Sequence, residues 1–583
     1  MNWPAVPAKI RDDVQPKVPQ YRRQTEAILA ASRKGVQDGL KGQHNSHKRQ
    51  VEVIARQLGK PVLADKKDFY AWEISRYSNI YRDERPDLAS LPLESVDVTM
   101  AMDEFRDKVF MVNSCGKDVR QAVEIHPSPD LPAKAIQVRQ SLYFRFKNGQ
   151  EELGDALYDL DGPLEIPRDQ SRQVWLTFDT RFNGIKPGEY HFDVVLRDLD
   201  TGTQRSVLGR LRIWDFTLPN YDILANNGYV EFFNGEVGLK VRDKAVTHMK
   251  RYGLNMVFIY WNFMPFPVEI DADLNITGFD ATNLEQQVRP VIQAWRAAPG
   301  NNQRLRFILQ LSYLPDKLVA DKSIKYPNER WKKVFTQWLR RLKTTLGEWE
   351  LSEEDCVFFL ADESNMSVLL NYELPFAELI KSIDPNVQIM CNRGPGIRDR
   401  DASFRFYRAF NSVLSCGDRE KQYPYLAQWI EQGNQPPELW TYQAADMSGR
   451  TKNLYSYYRV YGWQNFKYGI IGPGVWTYCA RAQSPWGKNK EMVGHCLVYK
   501  HRDKNALVHS RRYEFYREGV DDYRYLYALR LLAQTNGPRA QTSAEQLIRQ
   551  AIQDITADVT DTTRCDRWRI KIAEQILKLK AAE

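Results

Sequence analysis

The chain has 583 residues, of which 43% are hydrophobic and 27% charged, and its formal net charge is +8. The 82 basic and 74 acidic residues are mixed along the chain, which argues against the concentrated basic stripe of a nucleic-acid-binding protein. No window of about 18 apolar residues occurs, so no membrane span is predicted. The length exceeds one ordinary core and predicts two or three domains.

Motifs for metals and cofactors are missing from the sequence. The seven cysteines stand singly, without the Cys/His spacing of a zinc site. No nucleotide-binding loop and no Gly-x-Ser-x-Gly elbow occurs. We therefore expect no metal and no cofactor. Residues 1–10 lack the layout of a signal peptide, which indicates either a cytosolic protein or a leader absent from this sequence.

The first two regions differ in their periodicity. Residues 1–88 are predicted to be a helical segment, because apolar residues recur at helical spacing over 21–32 and 46–58. Residues 89–220 change to short alternating strands separated by turn signals, which predicts a β-sandwich. The clearest of these strands lie at 96–102, 174–178, 190–196 and 208–213.

Residues 221–535 alternate strand-like runs with amphipathic helices and are predicted to form a (β/α)₈ TIM-like barrel. A helical tail is predicted over 536–583. The eight candidate strands of the barrel are 228–232, 256–260, 306–311, 357–360, 388–391, 412–414, 439–442 and 470–476.

The most informative segment is the apolar run 357–361, which ends abruptly in Asp362 and Glu363. The run has the composition of a strand buried on both faces. Adjacent carboxylates are costly to desolvate, and the carboxyl ends of barrel strands face the active site. An alternative is that Asp362 caps the next helix and Glu363 lies in its first turn.

Polar and aromatic residues recur where the other barrel strands should end. A cleft with carboxylates and aromatic rings suits a carbohydrate, although each single aromatic could equally serve in packing. The predicted substrate-binding residues are Tyr260, Trp261, Tyr313, Asn392, Arg393, Trp440, Tyr442, Asp446, Trp476 and Trp486.

Two hydrolytic mechanisms and one non-catalytic role are open. An ordinary glycosidase needs two opposed carboxylates, so Asp362 or Glu363 would require a distant partner such as Glu231 or Asp446. Neighbouring carboxylates suit a substrate whose own 2-acetamido group attacks the anomeric carbon. The third possibility is a glycan-binding protein without activity, which the fold does not exclude.

The charged segment 510–526 is predicted to be structural. Arg517 and Asp521 lie four residues apart and could pair on a helix, with tyrosines packing beside them.

Several segments, taken in order, resemble glycoside hydrolase family 123, the β-N-acetylgalactosaminidase family. The similarity spans roughly residues 90 to 530, with Phe359-Leu-Ala-Asp-Glu363 at its centre. The other matching segments are 174–178 with 186–190, 439–442, 457–459 with Trp463, 472–476 with 485–486, and 510–523.

The resemblance implies a sandwich followed by a catalytic barrel, with substrate-assisted hydrolysis that retains the anomeric configuration. Asp362 would orient the acetamido group, and Glu363 would be the general acid/base. Family members often have Pro after this pair, where this chain has Ser364. A glycan or glycoconjugate is the implied substrate, and relatives are commonly exported.

Overall fold

The computed structural model of the chain describes residues 68–86, 91–145, 152–181, 184–230, 241–300, 303–392, 396–414, 422–441, 443, 451, 453–479, 486 and 494–582. These residues form a mixed α/β fold. Residues 1–67 of the predicted helical segment lie outside the described ranges. So do the predicted site residues Arg393, Tyr442 and Asp446, and the alternative carboxylate Glu231.

Residues 70–217 form two five-stranded sheets, with strand orders β1-β3-β8-β5-β6 and β2-β10-β9-β4-β7. The strands are β1 (Tyr70–Glu73), β2 (Ser95–Met102), β3 (Phe105–Asn113), β4 (Val119–Pro127), β5 (Ile136–Arg145), β6 (Glu152–Asp159), β7 (Leu164–Ile166), β8 (Ser171–Asp179), β9 (Gly188–Asp198) and β10 (Gln204–Thr217). Strands β2 and β10 pair in parallel, and the other pairs are antiparallel.

The two sheets contribute to one buried cluster. Val96 and Met100 of β2 lie in it together with Phe110 and Val112 of β3, which belongs to the other sheet. Alternate residues of each strand point to one face of a sheet, so the period-two pattern predicted here supplies this core.

Strand β1 corrects the prediction that residues 1–88 are helical. Tyr70–Glu73 pair antiparallel with β3, from Tyr70 opposite Asn113 to Glu73 opposite Phe110. A four-residue strand is too short for its alternation to stand out, and its partner strand comes only after β2 in the sequence.

The second half of the chain contains a seven-stranded sheet of order β11-β14-β15-β16-β17-β18-β19, whose pairs are all parallel. Its strands are β11 (Met256–Ile259), β14 (Arg306–Gln310), β15 (Cys356–Phe359), β16 (Gln388–Cys391), β17 (Ser412–Leu414), β18 (Glu438–Trp440) and β19 (Ile470–Gly472). Two hairpins stand apart from it: β12 (Glu269–Ile270) with β13 (Ile276–Gly278), and β20 (Val498–Lys500) with β21 (Leu507–His509).

Helices follow most of these strands. They are α1 (Arg242–Arg251), α2 (Thr282–Ala297), α3 (Leu314–Lys317), α4 (Glu329–Glu348), α5 (Leu374–Ile383), α6 (Arg400–Ala409), α7 (Leu426–Glu431), α8 (Val460–Lys467), α9 (Arg511–Thr535), α10 (Pro538–Ala557) and α11 (Arg564–Lys580). A short helix, Met366–Val368, and a wider turn, Leu369–Glu373, lead into α5. None of the helices in the described ranges is long and apolar enough to cross a membrane.

The parallel strands are buried on both faces. Along β15, Val357 and Phe359 belong to a small cluster with residues of β11, β14, β16 and β18, whereas Phe358 and Leu360 join the large cluster that includes the helices. Val357 and Phe359 therefore pack within the curl of the sheet, whereas Phe358 and Leu360 pack under the helices. The continuous apolar runs in the sequence predicted burial on both faces.

Residues 225–230 lie between the two edge strands. The Val230 carbonyl accepts from the Phe258 amide at 3.0 Å on the β11 side. On the β19 side, the amide of Ala225 donates to Ile471 and that of Asn227 to Pro473, both at 2.8 Å. Residues 228–230 belong to the predicted first barrel strand, and single bridges join Val230 to Val257 of β11 and to Cys479, beyond β19.

Helix α9 is the buried charged element of the fold. All residues from Arg511 to Leu526 are buried. Arg517 contacts Asp521 at 3.3 Å, as predicted, and also Glu514 at 2.6 Å and Asp107 of β3 at 2.9 Å. A buried charge is tolerated only when it is paired, and these pairs tie the first sheets to the second half of the chain. Residues 538–557 and 564–580 are helical, as predicted, and share a cluster with α9.

Candidate active site

Asp362 and Glu363 lie just beyond the carboxyl end of β15, in the middle of the parallel sheet. Strand β15 pairs with β14 on one side and with β16 on the other. The pair therefore stands at the edge of the sheet where the ends of neighbouring strands converge. Both residues are exposed, so solvent and a ligand can reach them.

A hydrogen bond from a residue just beyond the neighbouring strand β16 holds Asp362. Asn392 follows the last residue of β16, is 5% exposed, and its Nδ2 donates to Asp362 Oδ1 at 2.5 Å. Loss of hydration raises the pKa of Asp362 above its ordinary value; the bond from Asn392 lowers this pKa, and the charge of Glu363 raises it further. The net result is a raised pKa.

Glu363 has a φ of 45°, in the left-handed region. A residue other than glycine there costs about 1–3 kcal/mol, and such residues concentrate at functional sites. This turn ends the extended strand, so the side chains of Asp362 and Glu363 do not continue its alternation between two faces.

The helix-capping alternative for Asp362 is wrong. The cap of the following helix is Asn365, whose Oδ1 accepts from the Val368 amide at 3.0 Å. Asp362 is therefore not the capping residue of that helix.

Two aromatic side chains pack within the curl of the sheet, on the cluster to which β15 contributes. Tyr260 and Trp476 are partly buried and pack on the small cluster that contains Val357 and Phe359. Tyr260 stands edge-on to Phe258, with 4.9 Å between ring centroids. The two predicted residues Tyr260 and Trp476 therefore share one surface with strand β15.

A second aromatic group stands at the ends of β11 and β14. The rings of Trp261 and Tyr313 are 4.8 Å apart and tilted by 60°, and the Lys317 ammonium lies 4.3 Å from the centre of the Trp261 ring. Gln310 of β14 pairs in register with Phe359 of β15. Tyr313 comes three residues after Gln310, and Asp362 comes three residues after Phe359. This group lies on the β14 side of the acid pair.

Two other predicted substrate contacts pack against protein residues, and Trp440 does so in the same small cluster as Tyr260 and Trp476. Trp440 is 3% exposed, and its indole donates to Glu438 at the start of β18, away from the end that carries the acid pair. Trp486 packs edge-on to Phe144 and Tyr158 of the first sheet, both at 5.8 Å. Both residues serve in packing in this structure.

Two further side chains border the site and were not identified from the sequence. Gln310 ends β14, is 7% exposed, and its Oε1 accepts from the Trp261 amide at 3.5 Å. A polar residue ending an apolar strand is the same signal that marked Asp362. His495 stands edge-on to Trp476, with 4.7 Å between the ring centroids. It lies too far from the predicted strand ends along the chain for the sequence to indicate this contact.

The described residues contain no group of three or more His, Cys, Asp or Glu side chains that could hold a metal ion. The site contains two adjacent carboxylates in different surroundings, one of them fixed by an amide. Aromatic rings lie on the neighbouring strands. Such a site can transfer protons and bind a ring with an apolar face.

Comparisons with known proteins give one informative match. No protein-family model matches the chain, and no curated protein matches it by sequence. A solved structure of a family 123 glycoside hydrolase from Clostridium perfringens, described for glycolipid glycan hydrolysis, covers 88% of this chain and 100% of its own, with 12% identity and a TM-score of 0.65.

Two other similar structures are an endo-β-1,4-mannanase from Thermotoga petrophila and a putative α-galactosidase from Bacteroides fragilis. The mannanase covers 52% of this chain and 77% of its own at 11% identity, and the galactosidase 70% and 78% at 8% identity. Their TM-scores of 0.31 and 0.26 are too low to bear on the fold. The first match shows a fold relationship: over most of its length, this chain has the fold of that family 123 glycoside hydrolase.

Proposed function

We propose that the protein is a glycoside hydrolase that removes β-linked N-acetylgalactosamine by substrate-assisted, retaining hydrolysis. The observation that carries this proposal is the adjacent pair Asp362-Glu363 beyond β15, in a chain with the fold of a family 123 enzyme. The substrate class is a glycan or glycoconjugate, and the sugar is taken from the family resemblance.

The proposed architecture places this pair at the mouth of a barrel. Residues 225–230, hydrogen-bonded to both edges of the parallel sheet, would be the eighth strand of a closed (β/α)₈ barrel within 221–535. The two five-stranded sheets of residues 70–217, which share a buried cluster, would be the β-sandwich predicted over 89–220. Active sites of (β/α)₈ barrels lie at the carboxyl ends of the strands, where Asp362 stands.

In the first step, the carbonyl oxygen of the 2-acetamido group bonds to the anomeric carbon while the glycosidic C–O bond breaks. Glu363 donates its proton to the leaving oxygen. Asp362 accepts a hydrogen bond from the acetamido N–H and stabilises the positive charge that develops on the ring formed. A nucleophile within the substrate replaces the second opposed carboxylate of an ordinary glycosidase.

In the second step, water attacks the anomeric carbon, and the bond to the acetamido oxygen breaks. Glu363, now ionised, takes the proton from the water. Two displacements at one carbon restore the original configuration, so the sugar leaves as the β-anomer. The aromatic residues Tyr260 and Trp476 are proposed to contact the apolar face of this sugar.

A panel of nitrophenyl β-glycosides, with and without the N-acetyl group, tests this proposal. We expect release of nitrophenol from the N-acetylgalactosaminide and, by proton NMR, the β-anomer as first product. Preference for the plain galactoside would favour a two-carboxylate enzyme. Glycan binding without turnover on any member would favour a binding protein.

A further inference from the structure

Two influences act against an ionised Asp362. The carboxylate loses hydration among the surrounding protein atoms, and Glu363 adds a second negative charge next to it, so both raise the pKa of Asp362. The proposed mechanism needs the charged form, because a protonated acid cannot accept from the acetamido N–H and cannot stabilise a cation. Some donor must therefore offset these influences.

Asn392 supplies that donor. Its Nδ2 lies 2.5 Å from Asp362 Oδ1, and its bond lowers the pKa of Asp362. An amide is neutral, so it favours the charged form without cancelling the charge that the reaction uses. A lysine or arginine at this position would form an ion pair with Asp362 and take up both its charge and its oxygens.

The arrangement leaves one oxygen of Asp362 open. Oδ1 accepts from Asn392, and Oδ2 accepts no hydrogen bond from any residue in the described ranges. Asp362 is exposed to solvent, whereas Asn392 is buried beside it. The bond therefore fixes Oδ1 and leaves Oδ2 able to accept a hydrogen bond from a ligand.

The Asn392 side chain itself has a cost that points to function. Its Oδ1 is buried and has no hydrogen-bond partner among the described residues. Leaving a buried acceptor without a partner is unfavourable. Rotating the amide would bring this oxygen against the Asp362 carboxylate, so the carboxylate itself dictates which way the amide faces. An unsatisfied group in a native structure calls for a role, and holding Asp362 is the role that the contacts offer.

We propose that Asn392 is a positioning residue, whose amide holds Asp362 Oδ1 so that Oδ2 faces the acetamido N–H of the substrate. This inference rests on the proposed function and adds to it a residue that acts through Asp362. Among the described residues, the side chains that act on Asp362 are Asn392, just beyond β16, and the neighbouring Glu363.

The test compares wild type with Asn392→Ala and with the nearly isosteric Asn392→Asp, using the nitrophenyl N-acetylgalactosaminide between pH 4 and 8. We expect kcat/KM to fall by roughly tenfold to a hundredfold, the range seen when a catalytic group loses its alignment. The acidic limb of the pH profile should move to higher pH in both variants, and further in Asn392→Asp, which adds a third carboxylate. Asn262→Ala, an exposed asparagine beyond β11, is the matched control.

A second readout separates this role from a purely structural one. The cyclic thiazoline analogue of the bicyclic intermediate needs Asp362 for binding but needs no proton from Glu363. Its Kd should weaken in the Asn392 variants by a factor similar to the loss in kcat/KM, with melting temperatures near that of wild type. Unchanged pH profiles and unchanged thiazoline binding would overturn the inference and leave the proposed function standing. A wild-type protein inactive on every N-acetylated glycoside would overturn both.

Discussion

The ring of Tyr313 lies 4.8 Å from that of Trp261, and Tyr313 exposes 48% of its surface beside the acid pair. Trp261 is backed by Phe266, with parallel rings 6.4 Å apart, and by the Lys317 ammonium. The group thus packs Trp261 against three partners at the ends of β11 and β14, one of which is the exposed ring of Tyr313. We expect that ring to contact the sugar or other group next to the one released.

Replacing Tyr313 by Ala should therefore lower kcat/KM for a disaccharide substrate by about tenfold, which corresponds to the ~1.4 kcal/mol of a good aromatic contact. Hydrolysis of the corresponding glycosyl fluoride, whose leaving group is too small to reach the ring, should not change. Tyr313→Phe keeps the ring and should behave as wild type on both. An equal loss on both substrates in Tyr313→Ala would contradict this placement.

The contribution of Asp362 to stability should be smaller at neutral pH than at acid pH. Its pKa is raised in the folded state, so the folded state binds the proton more tightly than the unfolded chain, and this contribution to stability falls as pH rises past the ordinary value. Asp362→Asn should raise the melting temperature at pH 7 and change it little at pH 3. Scanning calorimetry at one heating rate measures both; a lower melting temperature at pH 7 would refute the sign.

The buried ions of α9 predict a large effect from one substitution. Arg517→Ala would leave Glu514, Asp521 and Asp107 without their shared partner, all at 0% side-chain exposure. Breaking a buried ion pair from one side costs about 3–5 kcal/mol. The surface pair Arg289–Glu285, at 2.6 Å but half exposed, is the control, and Arg289→Ala should cost below about 1 kcal/mol. Urea titrations that show equal losses would contradict this difference.

Helices α8 and α9 approach each other through two glycines. A Cβ on Gly462 would lie 1.8 Å from the carbonyl oxygen of Gly519, which is backbone and cannot move aside. Gly462→Ala should force the helices apart and lower the free energy of unfolding by several kcal/mol, since overpacking a core costs about 1–3 kcal/mol or more. Gly347→Ala in α4, where nothing lies within 4 Å, should be neutral or stabilising by up to about 1 kcal/mol. Similar unfolding midpoints for both variants would refute the close approach.

Strands that are buried on both faces were predictable to within a residue or two. The runs at 256–260, 306–311, 357–360 and 388–391 correspond to β11, β14, β15 and β16, because a parallel sheet needs continuous apolar segments. The same reasoning placed Asp362 at a strand end. Strand β1 and the burial of α9 were not predictable in this way. Their partners, such as Phe110 for Glu73 and Asp107 for Arg517, are distant in sequence.

The aromatic residues show the limit of the same approach. Tyr260, Trp476, Trp261 and Tyr313 stand around the strand ends, as a site built from strand termini requires. Trp486 follows a predicted strand end equally well, yet it packs against Phe144 and Tyr158 of the first sheet. Sequence position near a strand end does not tell which way a ring points, since that depends on packing partners far along the chain.

The most direct test of the central claim is the rate of nitrophenyl N-acetylgalactosaminide hydrolysis by wild type, Glu363→Gln, Asp362→Asn and Ser364→Ala. The first two variants remove the proton donor and the acetamido anchor, and we expect kcat/KM to fall by at least about 10²-fold in each. Ser364→Ala, next to the pair, should remain within a few-fold of wild type. Wild-type rates from both Glu363→Gln and Asp362→Asn would contradict the account.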